Sequence, residues 1–101
     1  MSRRVVTKGL TRGDEVVCIW DDITEDPRGD IEGASLARML TKAMYLGEKK
    51  DKGHRVVCLG MTLDIATSTF YGVLTVPFGV IRFLKKREDV TEEDINDALE
   101  G

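Results

Sequence analysis

Two stretches of the chain are apolar almost without interruption: Val16-Val17-Cys18-Ile19-Trp20 and Val56-Val57-Cys58-Leu59. Runs of this length, rich in β-branched residues, predict strands covered on both faces, here Glu15 to Trp20 and Arg55 to Thr62. Arg4 to Thr7 is a shorter β-branched candidate, and Thr11-Arg12-Gly13-Asp14 reads as a turn. From Gly33 to Leu46 the pattern changes. Leu36, Leu40, Ala43 and Met44 fall on one side of a helical projection, with Arg38, Lys42 and Tyr45 largely on the other, so a helix is expected. Gly47 suits its left-handed C-cap, and the lysines beyond complement its dipole. Tyr71 to Val76 and Val80 to Leu84 predict two further strands forming a hairpin through Pro77-Phe78-Gly79. Thr91 is placed to cap a last short helix. Glu92, Glu93 and Asp94 fill its first turn, and Val90 and Ile95 take the two staple positions.

The resulting order is β-β-α-β-β-β-α within a single α+β domain, residues 1–101. One main helix is expected on one face of a small mixed sheet, with a short C-terminal helix beside it. A strand, a helix and a strand in succession imply a right-handed crossover between parallel strands. The frame Gly-x-x-Val-Val-Cys-aliphatic occurs at Gly13 and again at Gly53. It suggests that the two strands are neighbours in register, with Glu15 beside Arg55 and Cys18 beside Cys58. No disulfide is expected between them, because side chains of in-register neighbours project nearly parallel.

With 101 residues and 42% hydrophobic residues the core is small, so association with other chains would add to it. The run from Ile65 to Ile81 has no charge and is followed by Arg82, Lys85, Lys86 and Arg87. A spanning helix would need about 20 apolar residues without Pro77, Gly72 and Gly79, so strands explain the run better than a membrane span. No apolar leader follows Met1-Ser2-Arg3-Arg4, and neither cysteine belongs to a CxxC pair. Both facts suit a cytoplasmic protein with reduced thiols.

Charge changes the picture by its distribution. The net charge of -3 hides alternating blocks: basic 1–20, acidic 21–32, basic 33–58, basic again after Ile81, and an acidic tail. Lys49, Lys50, Lys52 and Arg55 form one basic cluster, and Arg82, Lys85, Lys86 and Arg87 another. Either could contact phosphates, and nucleic-acid binding is therefore an alternative function. Asp21, Asp22 and Asp64 stand at expected strand ends. Grouped there, they could hold a divalent cation in a phosphate-ester enzyme. No histidine-cysteine or serine spacing serves nucleophilic catalysis, no metal or cofactor motif is present, and His54 is the single histidine. The leading expectation is a small non-enzymatic accessory protein that binds a protein partner and itself. Phe70, Tyr71, Phe78 and Phe83 would be its contact residues. The size and acidic balance suit one encoded by a virus or mobile element and acting on a host factor.

Overall fold

The computed structural model describes residues 5, 7–23, 29, 31 and 35–100. Five strands follow one another: β1 (Glu15–Asp22), β2 (Ala37–Asp51), β3 (His54–Asp64), β4 (Thr69–Pro77) and β5 (Ile81–Lys86). A single helix, α1 (Glu92–Glu100), ends the described chain. Among the described residues, all strand pairs are antiparallel, in the order β4-β3-β2-β1-β5.

This overturns the expected mixed sheet with a main helix on one face. The stretch read as that helix is most of β2, so among the described residues neither a crossover nor a parallel pair forms. The reason lies in the spacing. Leu36, Leu40 and Met44 recur every four residues, a multiple of the strand period and close to the helical one, so the pattern fits both. Neighbours on both sides then decide. Residues Ala37 to Met44 pair with β1, and Met44 to Asp51 pair with β3. Gly47 adopts φ 139° but sits at a β-bulge after Tyr45 rather than at a helix cap. The cysteines are separated accordingly: Cys18 faces Thr41, and Cys58 faces Gly47 on the other side of β2. Both are free thiols. The first candidate strand lies partly outside the described residues, and its described positions, Val5 and Thr7, are not in a strand.

The β2–β3 hairpin closes on Lys52 and Gly53, with φ 51° and 84°. Two consecutive positive values define the turn whose twist matches antiparallel strands. The expected β4–β5 hairpin does not form. A 3-10 turn, Phe78–Val80, carries the chain from one edge of the sheet to the other. In a flat sheet those edges would lie four strand spacings apart, about 19 Å. Four residue steps from Pro77 to Ile81 reach at most about 14 Å. The sheet therefore curls until its edges approach. Its concave face gathers Val16, Cys18, Tyr45, Val57, Leu59, Val76, Ile81 and Leu84 into one buried cluster drawn from all five strands. The outer face of β1 is buried as well, at Val17 and Ile19.

Thr91 caps α1 as its sequence suggests. The Asp94 amide donates to Thr91 Oγ1 and the Thr91 amide to Asp94 Oδ2, both at 3.1 Å. Among the described residues, no helix is long and apolar enough to cross a membrane.

Candidate functional site

Alternation along β1 places Asp21 on the same outer face as Val17 and Ile19, where it is 5% exposed. Arg38 stands directly opposite on β2. Its Nε donates to Asp21 Oδ1 at 2.7 Å and its Nη2 to Oδ2 at 3.3 Å. Arg82 reaches the same carboxylate, Nε to Oδ2 at 2.5 Å, from the point on β5 where the register slips between Ile81 and Phe83. Arg38 also donates through Nη1 to the carbonyls of Ala98 and Leu99, at 2.8 and 3.3 Å. One guanidinium thus joins a buried carboxylate to the negative end of α1. The hydrogen bond from Arg38 holds the Asp21 carboxyl below the usual carboxylate range. Burial opposes this, and Arg82 adds to it.

This arrangement disperses the acidic strand-end cluster. Asp21 is engaged by two arginines. Asp22 Oδ1 accepts from the Ile23 amide at 2.8 Å. Asp64 lies at the β3–β4 turn, where its Oδ1 accepts from the Ala66 amide at 3.0 Å. Among the described residues, no three His, Cys, Asp or Glu side chains are grouped to hold a metal ion.

The two basic clusters have different fates. Every member of the β5 cluster has an acidic partner. Arg82 pairs with Asp21, Lys85 with Asp94 at 3.2 Å, Lys86 with Asp14 at 3.7 Å, and Arg87 with Glu15 at 3.4 Å. At the β2–β3 hairpin, Arg55 bonds Glu48 at 2.8 Å and lies 4.2 Å from the Phe78 ring centroid. Only Lys49, Lys50 and Lys52 stand exposed at the tip with no pairing among the described residues.

Of the four aromatic residues expected at a contact surface, one is substantially exposed. Phe70 packs over Gly60, so closely that a Cβ there would lie 2.5 Å from the ring, and Arg12 lies 5.3 Å from its centroid. Phe78 lies under Arg55, and Phe83 shares a hollow with Ala98 of α1. Tyr71, on β4, is 57% exposed.

Among the described residues, β4 is an edge strand whose only neighbour is β3. It has no charge, and Tyr71 and Val73 are exposed on it, with Met61 and Leu63 exposed on β3. Beside its C-terminal half runs a mostly apolar groove lined by Trp20, Ile23, Leu74, Val76, Pro77 and Val80, with Asp21, Asp22 and Thr75 also at its wall. The Trp20 indole donates to Thr41 Oγ1 at 3.0 Å, which fixes the ring along the groove wall. β5, the other edge, is different: Lys8, Gly9 and Leu10 flank Leu84 to Lys86, and Leu10 packs on the core. The sequence reading missed Trp20, Leu74 and Val76 as groove residues. Their only signal was the absence of charge, which a buried strand shares. No protein-family model matches the chain, and no curated protein or solved structure matches it.

Proposed function

We propose that this chain is a non-enzymatic association module that accepts an extended protein segment along the free edge of β4. The observation that carries the reading is the strand itself, unpaired on its outer side among the described residues: nine residues, uncharged, with Tyr71 and Val73 exposed. An exposed edge offers unpaired amides and carbonyls to another strand, and proteins normally blunt such edges with charge. β4 has no charged residue to do so. Strand addition would supply affinity through main-chain bonds, and the groove would select side chains.

A synthetic peptide with the sequence Thr69–Pro77 is a direct probe. Binding should change the emission of Trp20, the single tryptophan, saturably and slow exchange of the β4 amides. A titration that moves neither signal refutes the reading. The nucleic-acid alternative now rests on Lys49, Lys50 and Lys52. If it holds, affinity for an oligonucleotide falls steeply with salt, and replacing the three lysines by alanine abolishes it. No binding of the intact chain at low salt would remove it.

A further inference from the structure

We infer that the segment accepted by β4 is basic: the groove takes a lysine or arginine side chain of an extended partner segment and seats its charge against Asp22. This rests on the strand-addition reading above. Both walls of the groove are strand edges without a strand neighbour among the described residues. Leu74 to Pro77 belong to the edge of β4. On the other wall β1 runs to Asp22, but its pairing with β5 stops where Trp20 meets Ile81. A strand laid beside β4 turns its side chains alternately to the two faces. Those beside Leu74 and Val76 point into the groove, toward Trp20 and Val80. Those beside Tyr71, Val73 and Thr75 stay outside. The groove holds about 290 Å3, at the lower limit of small-molecule pockets, which suits side chains of a peptide better than a separate ligand.

Charge selects the side chain. Along β1, the alternation that turns Asp21 outward turns Asp22 to the face of Cys18 and Trp20, the groove side. Asp22 Oδ1 accepts the Ile23 amide, and among the described residues no cation pairs with this carboxylate. Arg38 and Arg82 do not serve it, since both reach Asp21 on the opposite face. The groove is otherwise mostly apolar, so the side chain that fits is apolar along its length and positive at its tip. Lysine and arginine have that form: their stems lie on apolar surface while the charged head stays in water. An uncharged side chain would cover Asp22 without giving it a partner, which costs free energy. An acidic one would meet Asp22 and the acidic block 21–32 that begins there.

Four capped heptapeptides test this on the intact chain, with binding read from Trp20 emission at low salt. Three have the sequence Thr-Val-Thr-X-Thr-Val-Thr, with X lysine, glutamine or glutamate, so that the valines and X share the groove face. The fourth, Thr-Val-Lys-Gln-Thr-Val-Thr, has the net charge of the lysine peptide but turns its lysine to the outer face. The first lysine peptide should bind about threefold tighter than the glutamine peptide. The glutamate peptide should bind more weakly than both, and the fourth should match the glutamine peptide. Raising the salt should shrink the preference for lysine. Asp22→Asn should remove that preference and leave affinity for the glutamine peptide unchanged. Asp22→Lys should reverse it in favour of glutamate. Circular dichroism melting checks that both variants fold, and the four peptides on the wild type decide the matter without them. Equal affinity for the lysine and glutamine peptides, or for the two lysine isomers, overturns the inference. So does a preference that survives Asp22→Asn in a folded chain, or failure of the lysine peptide to bind. Binding of the Thr69–Pro77 peptide then leaves strand addition standing, whereas a chain that ignores every peptide removes both readings.

Discussion

Replacing Asp21 by asparagine should weaken the fold more than its single-atom change suggests. The carboxylate accepts three hydrogen bonds from Arg38 and Arg82. An amide offers one oxygen, and its NH2 group must face a guanidinium that has nothing to accept with. Both arginines are partly exposed and keep some hydration, so the loss stays below that of a fully buried ion pair. Hydrogen bonds to charged groups contribute about 1.5–3 kcal/mol, so a loss of about 2–3 kcal/mol is expected at neutral pH. For a domain of this size that corresponds to a fall in Tm of about 10–20 °C. The pH dependence supplies a second readout. The folded Asp21 carboxyl titrates below its unfolded range, so its contribution is complete above about pH 5 and disappears as the pH falls through the folded value. The gap between wild type and Asp21→Asn should therefore close on acidification. Asp22→Asn is the control, since Asp22 bonds only the neighbouring Ile23 amide, and it should melt almost like the wild type. A neutral-pH shift below about 3 °C, or a gap that persists in acid, would refute the clamp as described.

Three further outcomes are expected. Thr91→Ala removes the cap of α1 and should cost about 1 kcal/mol in chemical denaturation. Burial pushes the Cys18 thiol up to about 12, so native protein should resist maleimide at that residue at pH 8, while unfolded protein reacts quickly. Gly60→Ala drives a methyl group into the Phe70 ring and should destabilise by about 1–3 kcal/mol, partly recovered by Phe70→Leu in the same chain.

Where local chemistry leaves one answer, the sequence is legible. The valine-cysteine runs of β1 and β3 and the Thr91–Asp94 cap are read correctly because their residue types fit one conformation. β2 is not legible, since alanine, leucine, methionine and lysine favour a helix in isolation, and only the strands at its sides override that preference. The site suffers from the same dependence on tertiary partners. The apolar run Phe70–Leu84 contains the exposed strand, but no residue in it signals that the chain crosses between opposite edges at Phe78–Val80. Asp21 looks like a ligand in sequence, because the arginines that occupy it come from 17 and 61 positions away.

The closing of the sheet by β5 also has a kinetic side. β1 pairs with β2 early in the chain, but its second neighbour lies beyond residue 80. At about 5–20 residues per second, synthesis from Asp22 to Ile81 takes roughly 3–12 s. Throughout that interval β1 has an open edge and the core lacks Ile81 and Leu84. Such long-range pairing places the chain among slow folders, on a scale of milliseconds to seconds. A nascent β1, valine-rich and half paired, is then the segment a chaperone would find first.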